Sequence, residues 1–286
     1  MIGLCTDSSA LMPPDLVERW GVEVVPLTVT VDGTDHLEGV DLEADEFYAR
    51  YANGHRPDVQ TGAPSPGQFA AAYEDLVARG CTEILSVHLT AAIPGTINAA
   101  RMASRALDIP IRVVDSATAG FGITCCVWAA AEAIAAGASL DAAVKVAEEL
   151  RPHVGSTFIV GDPSVLRAPG CTSGLQLPPG TAVLMFQGNE VELVEHFPAA
   201  LDAVNAMAQR AIRAGERSRV GIGHSDAASK PLADAIEAAI GEAASVIELV
   251  RYRIGPSVGS HTGPGTASCI TFPADSLPAP SSPAAS

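Results

Sequence analysis

Four short turns rich in hydroxyl groups, glycine and proline hold the side chains of this chain that could take part in chemistry. Each follows an apolar, strand-like run, and the turns occupy residues 6–9, 61–66, 90–96 and 115–118. Ligands of a parallel α/β sheet bind at the carboxyl ends of its strands. Hydroxyls and free backbone N–H groups at such ends can hold an anion without a basic residue. The four turns therefore predict an acceptor for a small negative head group.

The second and third turns have an alternative interpretation without a ligand. Thr61 could belong only to the entry of a helix that Ser65 caps, and Gly95 with Thr96 could form only a tight helix start. The residue types alone do not separate these interpretations.

The first and fourth turns also allow two interpretations. Asp7 and Ser8 could be the base and nucleophile of an enzyme. We favour strand-end turns in which both side chains brace neighbouring loops, because Asp and Ser readily hydrogen-bond nearby backbone. We interpret Asp115 and Ser116 in the same way.

A further motif, at residues 255–259, matches the GxSxG pattern of a nucleophile elbow around Ser257. That elbow needs a strand, a sharp turn and then a helix. A strand is predicted over residues 246–254, but residues 260–265 include Gly263-Pro264-Gly265 and are not expected to form a regular helix. Too little chain follows for the usual Ser, Asp, His order, so we expect no hydrolase triad here.

Histidine, cysteine and glycine spacings give no sign of a metal or a cofactor. The seven histidines lack metal-ligand spacing, and the glycines do not form a dinucleotide fingerprint after a first strand. The six cysteines contain no CxxC pair, and four lie in apolar runs. Such cysteines suit buried free thiols in a reducing cytoplasm better than disulfides.

Composition limits the partners that the chain can have. Its 286 residues carry a net charge of −16, which argues against binding nucleic acid or an anionic membrane surface. The chain starts directly in a strand pattern without a basic n-region, so we expect no signal peptide. The apolar run near residues 125–136 is interrupted by Glu132 and is too short to span a bilayer. We therefore expect a cytoplasmic protein.

The order of the predicted elements indicates an α/β fold with two domains. In the first half, strands at residues 2–6, 22–31, 83–87 and 111–114 alternate with helices, which predicts a parallel sheet with flanking helices. The second half has more strands, among them a hairpin around residues 187–190, and predicts a smaller mixed-sheet α/β domain. We expect domains at 1–152 and 153–272, and a disordered tail at 273–286 rich in Pro, Ala and Ser.

Several of these segments, in order and at the right spacing, resemble the DegV family of bacterial fatty-acid-binding proteins. The resemblance covers about residues 2–272 and is strongest at residues 6–9, 25–28, 61–65, 95–96, 114–116 and 259–265. It implies two α/β domains with a long-chain fatty acid buried between them, and a non-enzymatic carrier without a cofactor.

The resemblance also implies where the fatty-acid carboxylate is held. The carboxylate-binding Thr of the family falls on Thr61, and its Ser-Gly-Thr turn falls on Pro94, Gly95 and Thr96. Pro94 supplies neither a hydroxyl nor an N–H group, so backbone N–H groups and Thr hydroxyls must serve instead. His261 falls where the late His-Thr-Gly-Pro-Gly segment of the family approaches the head group.

The resemblance further implies a partner, a fatty-acid kinase subunit to which family members present the acyl carboxylate. The family's arginine in the surface that meets this kinase is replaced here by Cys171, so we expect poor recognition by a generic kinase subunit. The alternatives are an acyl-transfer, phosphoryl-transfer or hydrolytic enzyme that uses Asp7, Ser8 or His261, and a degenerate member with a regulatory role.

Overall fold

The computed structural model describes residues 1–89, 95–164, 177, 179–187 and 190–274. Pro94, Cys171 and residues 275–286 of the predicted tail lie outside them. No helix among the described residues has the length and apolar character needed to cross a bilayer.

The N-terminal unit, which we define as β1 to α6, alternates strands and helices and confirms the predicted α/β class. Its strands are β1 (Ile2–Asp7), β2 (Glu23–Val25), β3 (Thr28–Val31), β4 (Thr34–Leu37), β5 (Val59–Gly62), β6 (Glu83–His88) and β7 (Ile111–Asp115). Its helices are α1 (Pro14–Trp20), α2 (Ala44–Ala49), α3 (Pro66–Ala78), α4 (Gly95–Ser104), α5 (Phe121–Ala135) and α6 (Leu140–Leu150).

Two separate sheets build this unit. Strands β2, β1, β6 and β7 form a parallel sheet in that order, while β4, β3 and β5 form a small antiparallel sheet. The expectation that all four turns end strands of one parallel sheet is therefore wrong for the Thr61 turn, which ends β5. The single strand predicted at residues 22–31 is also divided, because β2 ends at Val25 and Pro26 separates it from β3.

The C-terminal unit, β8 to β13, contains a six-stranded mixed sheet. Its strands are β8 (Gly155–Ile159), β9 (Thr181–Gln187), β10 (Glu190–Phe197), β11 (Ser218–His224), β12 (Val246–Arg253) and β13 (Ala267–Pro273), and its helices are α7 (Ala200–Ile212), α8 (Lys230–Ile240) and α9 (Pro256–Thr262). The strand order is β10-β9-β8-β13-β11-β12, with only β11 and β12 parallel among the described pairs.

Two elements of this unit differ from the sequence-based expectation. Strand β13 was not predicted, because both of its faces are buried and it lacks the alternation of a half-exposed strand. Its last residue, Pro273, lies one residue beyond the predicted end of the domain. The segment after β12 forms the short helix α9 although no regular helix was expected there. Pro256 occupies the first position of α9, where proline is tolerated, and the helix ends at Gly263 with φ 71°.

Helix α5 joins the two units. It is apolar on almost all sides and is buried between the parallel sheet and the C-terminal sheet. Its Phe121 stacks on Tyr252 of β12 with ring centroids 4.3 Å apart, and Trp128 meets Phe272 of β13 edge to face. Helices α7 and α8 cover the opposite face of the C-terminal sheet. One face of that sheet is thus turned towards the N-terminal unit.

Candidate functional site

The Thr61 turn and the start of α4 pack directly against each other. A Cβ atom added to Gly95 would lie only 2.9 Å from the Cβ of Ala63. Such a separation is below normal contact, so the two turns approach as closely as a residue without a side chain allows. The two segments that were predicted to share a ligand are neighbours in space.

The three predicted head-group residues on these turns differ in exposure. Thr61 lies on β5 opposite Val29 and is exposed, and Gly95 is exposed at the first position of α4. Thr96 is buried, with 2% of its surface exposed. Ser65 does not face this group, since its hydroxyl accepts from the backbone N–H of Gln68 and caps α3.

His261, the fourth predicted head-group residue, lies in the last turn of α9. This helix packs against β5 and α2. Within it, Gly259 leaves room for the ring of Tyr48, because an added Cβ would lie 2.2 Å from the Tyr48 hydroxyl. His261 is exposed to solvent, yet partial desolvation by its surroundings lowers its pKa below the usual 6.5. In the free protein, His261 is therefore mainly neutral at pH 7.

An apolar cluster lies on the sheet of the C-terminal unit near this helix. We call it the β8–β10 cluster, and it comprises Phe158, Val160, Leu177, Ala182, Leu184, Phe186 and Val191. Phe158 is partnered in register with Ser268 of β13 and Leu184 of β9, so the cluster continues the face that the N-terminal unit covers. Val160 precedes Gly161, whose added Cβ would lie 2.8 Å from Gly265, in the loop after α9.

A buried hydrogen-bond network occupies the end of β1 and β6. His88 Nδ1 is 2.8 Å from Asp7 Oδ2, and His88 Nε2 is 2.6 Å from Ser86 Oγ. Ser86 Oγ is in turn 2.9 Å from the hydroxyl of Tyr73 on α3. Of these four residues, only Asp7 was predicted from the sequence. The sequence signal that could have pointed to the other three residues is a histidine at the very end of a buried strand.

A second buried group, Glu38, was also missed. Glu38 Oε2 accepts a hydrogen bond of 2.5 Å from the hydroxyl of Ser8, and Oε1 accepts one of 2.8 Å from the backbone N–H of Ser257. Burial raises the pKa of Glu38, and these two donors oppose that increase. The carboxyl group thereby connects the β1 turn of the N-terminal unit to the start of α9.

In the fourth turn, residues 115–118, side chains form hydrogen bonds with the backbone of the same turn. Asp115 accepts a hydrogen bond of 2.7 Å from the backbone N–H of Ala117, and Ser116 is fully buried beside Thr118. The backbone N–H of Ser116 also donates to the carbonyl of His88, at 3.0 Å. This turn therefore packs against the end of β6.

The GxSxG segment has the strand and the helix of an elbow without the catalytic partners. Ser257 is buried in the first turn of α9, and within the described part of the chain its hydroxyl has no hydrogen-bond partner. The neighbouring acid, Glu38, accepts from the Ser257 backbone rather than orienting a histidine. The described residues do not assemble a triad around Ser257.

A cavity of about 760 Å³ lies elsewhere between the two units. Its walls include Leu11, Val17, Leu42, Tyr252 and Arg253. None of Thr61, Gly95, Thr96 and His261 lines it. Across the described residues, no three His, Cys, Asp or Glu side chains are grouped so that they could hold a metal ion.

Comparison with known proteins gives one consistent family. A family model described as "Uncharacterised protein, DegV family" matches residues 1–274. A DegV domain-containing protein of Streptomyces coelicolor is 30% identical over 270 residues, which cover 92% of this chain and 95% of that protein. A DegV domain-containing protein of Mycobacterium bovis is 29% identical over 269 residues, with 91% and 93% covered.

Solved structures give the same result. A DegV family protein from Thermus thermophilus, described for its fatty acid binding, superposes with a TM-score of 0.83 at 27% identity, over 95% of this chain and 99% of that one. The fold of DegV from Bacillus subtilis, described as a fatty acid binding protein, matches with a TM-score of 0.81 at 24% identity, over the same shares.

Proposed function

The chain belongs to the DegV family, and from this membership and the geometry of the two turns we propose that it binds a long-chain fatty acid between its two units. The observation that carries the proposal is the close packing of Gly95 against Ala63, which puts the Thr61 turn beside the start of α4. The Thermus thermophilus relative described as binding fatty acid supports the ligand class.

The head group of the acid would be held without a basic side chain. Its carboxylate would accept from the hydroxyls of Thr61 and Thr96 and from the backbone N–H groups at Gly95 and Thr96. The first N–H groups of a helix have no partner within it, and the helix dipole favours a negative charge there. An unpaired buried carboxylate costs several kcal/mol, so these donors would remove most of that cost.

The acyl tail would lie on the β8–β10 cluster. About fifteen methylene groups at about 0.8 kcal/mol each offer roughly 12 kcal/mol of gross burial, from which the cost of ordering the tail must be subtracted. The tail would therefore supply affinity, and the two turns would fix the depth and direction of the ligand.

We propose a carrier rather than an enzyme. Asp7 and Ser8 are engaged by His88 and Glu38, and Ser257 has no histidine as a hydrogen-bond partner within the described residues. Five cysteines are buried free thiols, which supports a location in the reducing cytoplasm.

A kinase partner would be recognised poorly. This expectation depends on Cys171, which by the family resemblance takes the place of the family's arginine. Mixing the loaded protein with a fatty-acid kinase subunit and ATP should give little acyl phosphate. Efficient acyl-phosphate formation would contradict the expectation.

Calorimetric titration of the delipidated protein tests the carrier function. A saturated sixteen-carbon acid should bind with a micromolar or lower Kd, while a four-carbon acid should not bind measurably because it offers too little apolar surface. Equal weak binding of both acids would show that no tail site exists.

A further inference from the structure

Tyr73, Ser86, His88 and Asp7 form a continuous hydrogen-bonded chain inside the N-terminal unit. The successive distances are 2.9, 2.6 and 2.8 Å. All four residues are fully buried. The order of groups is that of a Ser-His-Asp triad, but Ser86 is closed to any substrate and is hydrogen-bonded by Tyr73. A role in chemistry on a ligand is thereby excluded for Ser86.

The hydrogen-bond acceptors among these four residues determine which atom of each pair is the donor. Asp7 Oδ1 already accepts from the backbone N–H of Ser9 at 3.1 Å and from the Ser9 hydroxyl. An ionised carboxylate only accepts, so the Nδ1 atom of His88 must donate to Oδ2. If His88 Nε2 is bare, Ser86 donates to it and Tyr73 donates to Ser86. In the opposite order, with Nε2 donating to Ser86 Oγ, the proton of either Ser86 or Tyr73 would need an acceptor outside this group of four residues.

The four residues lie on or beside segments that are connected to each part of the proposed head-group site. His88 is the last residue of β6, on the segment that leads to Gly95. The ring of Phe69, in the first turns of α3 after the Thr61 turn, meets the His88 ring edge to face at 4.9 Å. The residue after Asp7, Ser8, binds Glu38, and Glu38 holds the start of α9.

We propose that His88 is a positioning residue for the head-group site, held in one tautomer by a proton order that runs from Tyr73 through Ser86 and His88 to Asp7. The proposal rests on the proposed fatty-acid function and deepens it. The buried chain fixes the end of β6 relative to α3 and β1. It thereby fixes the distances between the hydrogen-bond donors at Thr61, Gly95 and Thr96. The proposed site uses no long basic side chain that could compensate for a change in these distances.

Nitrogen NMR on protein labelled with ¹⁵N-histidine tests the tautomer. At pH 7 the His88 signals, assigned by their loss in His88→Ala, should show a protonated Nδ1 and a bare Nε2. Asp7→Asn should change that pattern, because an amide can donate to Nδ1 where a carboxylate cannot. A protonated Nε2 in the unmodified protein would overturn the proposed proton order.

Carboxylate selectivity tests the positioning role. The ratio of the Kd of the fatty-acid methyl ester to the Kd of the acid reports the head site alone, because both ligands have the same tail. Tyr73→Phe and His88→Ala should each lower this ratio by about tenfold, as expected for disturbed hydrogen bonds to a charge. His88→Asn can still donate to Asp7 and should restore part of the ratio.

A second buried tyrosine provides the matched control. Tyr252→Phe removes a hydroxyl that lies 2.7 Å from Ser268, outside the N-terminal sheet. It should cost similar stability and leave the ratio unchanged. If the unmodified protein binds the acid selectively and Tyr73→Phe keeps the full ratio, only this inference fails. If the unmodified protein does not prefer the acid, the proposed head-group site itself fails.

Discussion

At the scale of single residues, the proposed head-group site relies on neutral donors. Thr61 and Thr96 offer hydroxyls, and His261 is mainly neutral at pH 7 because burial lowers its pKa. A carboxylate bound there would be stabilised by hydrogen bonds whose number and geometry matter more than net charge. Two single-residue changes test this arrangement.

Replacing Thr61 by valine keeps the shape of the side chain and removes its hydroxyl. We expect fatty-acid binding to weaken by about 1–3 kcal/mol, because one hydrogen-bond donor to the charged carboxylate is lost. Titration calorimetry measures the change. Thr30→Val is the control, since Thr30 lies on the neighbouring strand and its hydroxyl donates to the exposed Asp35. An unchanged affinity in Thr61→Val would place the head group elsewhere.

The affinity for fatty acid should rise as the pH falls from about 8 to about 5.5, a range in which a carboxylate stays ionised. A bound carboxylate favours protonated His261 and raises its pKa in the complex, so binding takes up a proton. The affinity increases as the pH falls through the pKa of His261 in the complex. The increase is complete below the pKa of His261 in the free protein.

Variants isolate the contribution of His261 to this pH dependence. His261→Gln should bind with a flatter pH profile. His153→Gln should keep the profile of the unmodified protein, because His153 is exposed near the start of β8, at the strand end away from Gly161. A steep profile that persists in His261→Gln would remove His261 from the site.

At the scale of elements, the site depends on how closely β5, α4 and α9 approach one another. Gly95 lets α4 start against the Thr61 turn, and Gly259 lets α9 pack against Tyr48 of α2. Glu38 holds the start of α9 to the β1 turn. Small changes in these contacts should therefore alter ligand binding or the pH dependence of stability.

The contact between Gly95 and Ala63 can be broken and then restored. Gly95→Ala places two Cβ atoms 2.9 Å apart, so the turns must separate. Overpacking of this kind costs about 1–3 kcal/mol, and we expect fatty-acid affinity to fall by tenfold or more. Ala63→Gly in the same chain removes the clash and should recover the affinity.

Another glycine in the same region serves as the control for Gly95→Ala. An added Cβ on Gly67 would meet only the Ser65 hydroxyl at 3.8 Å, which is an ordinary contact, so Gly67→Ala should bind normally. If Gly95→Ala binds as well as the unmodified protein, the packing of the two turns does not determine the site.

Glu38 should make the stability of the protein depend on pH. Burial raises its pKa in the folded state above the usual 4.5, so the stabilising contribution is present below pH 4.5 and is lost as the pH rises through the folded-state pKa. Glu38→Gln stays neutral throughout. Relative to the unmodified protein, its free energy of unfolding should therefore increase between pH 4.5 and pH 7.

Urea unfolding at these two pH values measures that difference. Glu46→Gln, an exposed change on α2, is the control and should track the unmodified protein at both pH values. A constant difference between Glu38→Gln and the unmodified protein would show that Glu38 keeps an ordinary pKa.

At the scale of the whole molecule, a charged and aromatic cluster fastens the two units together. Arg219 of β11 lies over the rings of Trp128 and Phe272, at 5.5 and 5.7 Å from their centroids, and pairs with Glu132 of α5 at 2.7 Å. Glu248 of β12 pairs with Arg19 of α1 at 2.7 Å. A site between the units needs such a fixed interface.

Removing this guanidinium should loosen the interface. Arg219→Met leaves Glu132 half-buried without its cation and should cost about 2 kcal/mol in the free energy of urea unfolding. Arg251→Met also removes a paired arginine, but its partners Asp234 and Glu237 lie within the same unit, so the loss should be smaller. Equal losses would argue against a special role for the interface.

The fold class and the start of α3 could be predicted from the sequence because both have local signals. The Ser65 cap and the strand-helix alternation are recognised from neighbouring residues. His88 and Glu38 could not be found in this way. Their partners Asp7 and Ser257 are 81 and 219 residues away along the chain, and only the folded structure brings them together. Helix α9 was missed because the Gly263-Pro264-Gly265 run argued against a helix, whereas α9 ends at Thr262, just before that run.

Mass spectrometry of the lipid extracted from the purified, denatured protein tests the central claim most directly. We expect a long-chain fatty acid in an amount close to one per protein chain in the unmodified protein, and less of it in Thr61→Val. Absence of any acyl chain from the extract, together with no binding when fatty acid is added back, would show that this chain is not a fatty-acid carrier.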